Sequence, residues 1–360
     1  MRWRDLGFFL PFGLALLPAG AVALIAAGWP ASWSAGFPLL VIFGVLPVID
    51  LLCGIDTVNL DAGDTGIERH GYFRALTLLT LLIWPSVLIY CAYEFARLPL
   101  GPFGMVAWIV STGVLGGILA INPAHELVHK SSRLERLCGG LLLTSVGYHG
   151  FKVEHVRGHH VNVATPEDSS SANFGESVYA FVPRALRDNV RNAWRLEAQR
   201  LRQGGRRVWS HENEMLRWTA LWLVLLVAFA LWLGPAGALF FVAQGLAAAS
   251  TLEIINYVEH YGLERHAVAP GRYERVTHLH SWNAPQRVGN WLLFNLQRHS
   301  DHHANARRRY QLLQHHDDSP QLPAGYATMF VLALVPPLWR RVMDPRALRA
   351  RGAAPHLEGT

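Results

Sequence analysis

The chain has 360 residues, 51% of them hydrophobic and only 16% charged, with a formal net charge of +6. A soluble domain carries about 25% charged residues, so a chain of two or three soluble domains is excluded, and the long uncharged runs mark a membrane protein. Cys53, Cys91 and Cys138 stand far apart with no CxxC pair, which excludes a disulfide framework and a ribbon-type iron or zinc site. The positive balance reads as loop charge on one side of a bilayer, with no nucleic-acid partner.

Arg2 and Arg4 precede an apolar run from about Leu6 to Gly28, too long for a cleaved signal and long enough to cross about 30 Å of hydrocarbon. Further runs follow at about Ala35 to Cys53, Ala75 to Ala96 and Leu100 to Asn122, then Leu216 to Gly234 and Ala236 to Ile255. The expected fold is an all-α integral membrane protein of six transmembrane helices with a cytosolic, histidine-rich helical cap. Residues 1–122 would hold four spans and 123–215 a cytosolic region. Residues 216–255 would hold two more spans, and 256–360 a cytosolic end. The links after the first, third and fifth spans carry no charge beyond Arg97, whereas the region after the fourth is rich in Lys and Arg. That asymmetry places both termini in the cytoplasm, as for a bacterial inner-membrane protein. The stretch Pro183 to Arg207 reads as an amphipathic helix, with Leu186, Val190, Trp194 and Leu201 on its apolar side. Tyr326 to Trp339 is too short to span and is expected at the interface or against the protein.

Half of the eighteen histidines fall in four places. His125-Glu126-Leu127-Val128-His129 follows the fourth span. Glu154-His155-Val156-Arg157-Gly158-His159-His160 lies beyond it. His260 follows the sixth span, and His299-Ser300-Asp301-His302-His303 comes later. Spacings of three and four bring imidazoles to one helix face. On that basis His125 pairs with His129 and His155 with His159, while His160 turns toward a second ion. The topology puts all four places on one side of the membrane. Neutral imidazole ligates Zn, Cu, Fe and Ni, and nine exceed the four of a tetrahedral zinc site. Two ions with open positions fit better, His302 and His303 serving different ions, and O2 is the leading small molecule for such a site. Glu126, Glu154, Glu259 and Asp301 neighbour these histidines and are expected to accept their second N–H.

The first cluster also matches H-E-x-x-H of zinc proteases, a reading that leaves six histidines without purpose. The carboxylate-rich pattern of soluble di-iron bundles lacks its partners here. Of the remaining histidines, His149, His278 and His280 are expected as hydrogen-bonding neighbours of the site. His70, His211, His266 and His356 read as surface residues, and His315 and His316 as solvated.

His125–Lys130, Glu154–His160 with its continuation to Asp168, Asn256–Leu263, and Leu296–Ala304 followed by Tyr310-Gln311 together resemble the membrane-bound alkane 1-monooxygenases. Those enzymes are integral-membrane non-haem di-iron hydroxylases. Fatty-acid desaturases share the three histidine boxes loosely, and xylene-type methyl hydroxylases are near relatives. A desaturase or an aryl-methyl hydroxylase is the competing reading. The resemblance implies two irons held by the nine histidines, O2 as co-substrate, and hydroxylation of the terminal methyl of a linear alkane drawn from the bilayer lipid. It also implies electrons from a rubredoxin reduced by an NADH-dependent reductase. The chain has no Gly-rich dinucleotide motif, so no bound flavin or NAD is expected. Ile42 falls where the resemblance places a residue limiting the depth of the substrate channel. Where relatives pair histidines before Ser-Trp-Asn, this chain reads His278-Leu279-His280-Ser281-Trp282-Asn283.

Overall fold

The computed structural model describes residues 3–60 and 71–352; His70 and His356 lie outside them. Helices dominate, and among the described residues the only strands are the short pair Ala267–Ala269 and Arg272–Tyr273. Among the described residues three helices are long and apolar enough to cross a bilayer: Gly71–Arg97, Gly101–Val128 and Glu214–His260. The last is broken where Gly234 adopts φ 66° before Pro235. A Cβ strains at that angle, and proline cannot donate to the preceding turn, so the chain reverses into two helices, 214–233 and 235–260. Their outward faces expose Leu223, Val224, Leu231 and Leu246, side chains suited to lipid.

At the amino-terminal end, Arg4–Leu14 and Leu17–Ala26 meet at a 46° bend, with Pro11 and Pro18 each at the start of a helical turn. Phe37–Cys53 forms a shorter apolar helix with a π-turn over Val41–Val45. Helix Gly101–Val128 carries a second π-turn at Gly117–Ile121 and continues without interruption through His125. The first cluster therefore lies on the fourth apolar helix itself, one turn beyond where its apolar run ends.

Two polar clamps tie the amino-terminal helices to the far end of the chain. Buried Asp50 accepts hydrogen bonds from the Val288 and Gly289 N–H groups, both at 3.0 Å. Buried Arg298 donates to the carbonyls of Asp56, Val58 and Leu313 at 3.1, 3.1 and 2.6 Å. Such pairing is what makes burial of the charges tolerable.

Helix Val178–Gln203 covers the turn Phe151–Glu154. Its buried row is Phe181, Ala185, Asn189, Ala193, Glu197 and Leu201, while Val190 is exposed. The face turns inward because two polar members have partners: Asn189 donates toward Glu154, and Glu197 binds Arg157 and Arg200. Tyr326–Ala333 packs Met329 and Ala333 into the protein beside Tyr257 and Trp339.

Helices Gly101–Val128 and 235–260 approach closely at Gly113. A Cβ on Gly113 would stand 2.4 Å from the Ala247 Cβ and 2.9 Å from both the Ala248 nitrogen and the Gln244 oxygen. Backbone cannot yield there, so Gly113→Val should lower the thermal unfolding temperature sharply by overpacking. Gly13→Ala, with nothing within 4 Å, should leave it unchanged or slightly raised. Equal unfolding temperatures for the two variants would contradict this account of the interface.

Candidate metal centre

Four segments deliver the nine clustered imidazoles to one buried place. The end of Gly101–Val128 presents His125, with His129 at its cap, and the end of 235–260 presents His260. The six-residue helix His299–Ala304 presents His299, His302 and His303. The second cluster forms a third π-turn, His155–His159, followed directly by His160.

The ring nitrogens gather in two groups. His125, His129, His155, His160 and His302 form one, and His159, His260, His299 and His303 the other, with ligand atoms in each group within 4.8 Å of one another. His302 and His303 thus fall in different groups. His155 groups with His160, five residues on, and His159 points the other way. A regular helix would match His155 with His159, as the spacing alone predicts. The π-turn adds one residue per turn, and that changes the partner.

Within the five-histidine group the Nε2 of His160 lies 3.0 Å from that of His155 and 3.1 Å from that of His302. In the other, the Nε2 of His299 lies 3.1 Å from that of His260 and 2.9 Å from that of His303, which is 3.2 Å from that of His159. Two nitrogens bound at about 2.1 Å and a right angle to one ion stand about 3.0 Å apart, so these spacings fit ligands of a shared cation. The buried His129 Nε2 has no hydrogen-bond partner, as a nitrogen reserved for a metal would lack one. Nine imidazoles form the donor set expected for iron, zinc or copper.

Burial first, and neighbouring imidazoles second, hold His155, His160, His299, His302 and His303 well below the ordinary histidine value. Their lone pairs are therefore free for a metal. His159 moves up: burial opposes its charge, but the Asp168 carboxylate beside it prevails. Its Nδ1 lies 2.9 Å from Asp168 Oδ2, and Ser171 Oγ donates to the same oxygen at 2.6 Å.

The four acids singled out in the sequence sit in different settings. Glu259 Oε2 lies 3.2 Å from His299 Nε2, the nitrogen facing its group. Glu126 pairs with Lys130 at 2.8 Å and accepts from the Tyr310 N–H. Lys130 also donates to the Arg308 carbonyl at 2.9 Å, locking the first cluster to the segment after the third. Glu154 accepts from Ser169 at 3.0 Å, and burial, with Asp168 close by, pushes it up to about 7. Asp301 takes both Arg308 contacts at 2.7 Å and a contact from His316 Nε2 at 3.1 Å. His316 is thus a clamp and not a solvated residue, and the His315 side chain is also largely buried. His149 bonds Thr219, His280 contacts Glu274, and His278 contacts Asp318.

Sequence reasoning passed over Asp168 as a partner for an imidazole. It stands nine residues after His159, and only its place in the continuation of the second box could have pointed to it. Asn283 was also missed; its amide spans Ser300 and Ser319 at 2.7 and 2.8 Å and fixes the third box.

Against the histidines ends an apolar cavity lined by Ile42, Phe43, Ile118, Leu252, Ile255 and Phe330. Phe43 and Phe330 stack at 4.6 Å to form one wall. Its inner end is formed by Asn122, His125, His155, Glu259 and His299. Both histidine groups face it.

Long apolar helices around paired histidine groups define a membrane protein of the desaturase type, and a family model described as fatty acid desaturase matches residues 100–333. Alkane 1-monooxygenase 1 of Pseudomonas aeruginosa is 52% identical over 321 residues, covering 88% of this chain and 84% of that one. Alkane 1-monooxygenase 2 of Alcanivorax borkumensis is 48% identical over 333 residues, covering 92% and 87%. Alkane 1-monooxygenase 2 of Pseudomonas aeruginosa is 47% identical over 325 residues, covering 89% and 86%. The chain belongs to the alkane 1-monooxygenase family.

The neutral imidazoles set a pH response for the metal-free protein. In the unfolded chain each takes a proton below about pH 6.5, while the folded state resists it, so at low pH the unfolded state binds more protons and stability is lost as the pH falls. His159 and Glu154, shifted upward, offset part of this. Thermal unfolding of the metal-free chain should therefore occur at lower temperature at pH 5.5 than at pH 7.5. An unfolding temperature higher at pH 5.5 would contradict the burial assigned to these rings.

Proposed function

We propose that this chain hydroxylates the terminal methyl of linear alkanes. One atom of O2 enters a 1-alkanol and the other leaves as water, with two electrons and two protons consumed. The observation that carries the reading is the apolar cavity ending on His125, His155 and His299, members of both histidine groups. His125, His129, His155, His160 and His302 would hold one iron, and His159, His260, His299 and His303 the other. When bound, the irons supply O2 reduction and the oxidising power for breaking a C–H bond.

The chain's own part is orientation and exclusion of water. An alkane offers no polar handle, so the walls formed by Phe43, Ile118, Leu252 and Phe330 must align it end-on by shape. Ile42, buried on the Val41–Val45 π-turn, limits how far the chain extends. Asp168 accepts the His159 Nδ1–H and holds that ring's Nε2 toward its group. Glu259 Oε2 lies beside the His299 Nε2 that faces its group, so this carboxylate would stand on the metal side of the ring and not behind it.

Six spans, counting the bent first pair, the helix Phe37–Cys53 and the two halves around Gly234, would put the histidines and both termini on the cytoplasmic side of a bacterial inner membrane. Rubredoxin, reduced by an NADH-dependent reductase, would supply electrons. A surface opening of about 470 Å3 reaches His129 and His160 beside Arg136 and Arg307, and this basic rim suits an acidic carrier.

Purified protein should contain about two irons per chain and turn over octane or hexadecane to the 1-alkanol with O2, rubredoxin and reductase. His302→Ala should lose that turnover. Asp168→Asn should weaken iron retention roughly 10- to 100-fold. Zinc in place of iron, or full turnover by His302→Ala, would refute the reading. Ile42→Trp should shift product formation toward shorter alkanes; an unchanged chain-length profile would remove Ile42 from the channel.

A further inference from the structure

Away from the histidines, a cavity of about 700 Å3 opens between the start of helix Arg133–Ser145, the turn Phe151–Glu154 and the start of helix 214–233. Four cations line it: Arg133, Arg136, Lys152 and Arg217. The one carboxylate among the lining residues, Glu214, is already engaged by Lys152, by Arg157 at 3.5 Å and by the Trp218 indole N–H at 3.2 Å. Among the described residues Arg136 donates to the carbonyls of Lys130 and Ser131 and to no carboxylate, which leaves its charge unbalanced there. The guanidinium groups of Arg133 and Arg217 have no ion pair or hydrogen bond among the described residues. Burial first, and then the charges of Arg157, Arg136 and Arg217, lower the Lys152 ammonium to about 8.

The other wall is apolar. Leu137, Leu141 and Leu221 line it, and Leu137 is half exposed. The Trp218 ring sits where a Cβ on Gly140 would approach within 2.3 Å, and the Lys152 ammonium lies 5.5 Å from its centroid. From here helix 214–233 runs into its apolar stretch. Cations above a leucine-lined groove match a phosphodiester with acyl chains below it, the composition of basic pockets that hold anionic lipid between membrane helices. A freely soluble anion would gain nothing from the leucines.

We infer that this cavity is a binding site for the headgroup of an anionic phospholipid, its phosphate held by Arg133, Arg136 and Arg217 and its acyl chains lying along Leu137 and Leu141. The inference rests on the apolar helices crossing a bilayer.

The test is native mass spectrometry of the full chain purified from mixed phosphatidylglycerol and phosphatidylcholine, wild type against Arg133→Gln/Arg217→Gln. Neither substituted residue touches an imidazole of the two groups. Arg191→Gln/Arg195→Gln, on the exposed face of Val178–Gln203, is the charge-matched control. Wild type and control should retain phosphatidylglycerol in preference to phosphatidylcholine, and the test variant should retain it roughly tenfold less. Equal retention by all three would overturn the site. Thermal protection of wild type by inorganic phosphate equal to that by phosphatidylglycerol would overturn the lipid assignment in favour of a free anion. Loss of rubredoxin-supported turnover in the test variant with lipid retention intact would overturn it in favour of a protein dock. Membrane sedimentation reports on the bilayer reading separately: a chain that sediments with membranes but shows no lipid preference loses this site and keeps that reading.

Discussion

Everything in this molecule answers to one constraint: nine imidazoles must be packed together away from water, the ligand nitrogens of each group within 4.8 Å of one another and the nearest pairs about 3 Å apart. Bare lone pairs at that spacing repel, and imidazolium ions in a dry interior would cost several kcal/mol each. A cation held by each group would resolve both problems. Asp168 contributes by taking the far N–H of His159, which leaves its Nε2 free to face His303.

Meeting that constraint needs helices that depart from regular winding. The three π-turns among the described residues, Val41–Val45, Gly117–Ile121 and His155–His159, all border the cavity or the histidines. The first sets Ile42 and Phe43 into the cavity wall, and the second places Gly117 and Ile118 opposite them. The third redistributes His155, His159 and His160 between the two groups. Each inserts a residue into a turn, an arrangement common where function outweighs helical regularity.

The remaining requirement is rigidity between segments far apart in sequence. The third box is held by Asn283 through Ser300, by Arg298 against the loop after the second apolar helix, and by Asp301 through Arg308 and His316. Lys130 joins the first box to the same region. These contacts are charged or amide-mediated and buried or part-buried, so they position the rings more firmly than apolar packing would.

Much of this was legible in one dimension. The apolar runs located the long helices because a bilayer demands unbroken hydrophobic length, and Gly234-Pro235 marked the reversal because neither residue continues a helix. The histidine spacings identified the clustered residues, since few other uses gather nine imidazoles in four short stretches. What the spacings could not decide was the partition: only the folded backbone, with its π-turn, sends His155 to His160 and His159 to His303. Nor could they supply Asp168, the Asp50 clamp or the buried polar row of Asn189 and Glu197, whose partners lie in other segments of the chain. Periodicity along a helix is a local property written into the residues. Which faces meet, and which acid finds which ring, depends on contacts between segments that only tertiary packing brings together.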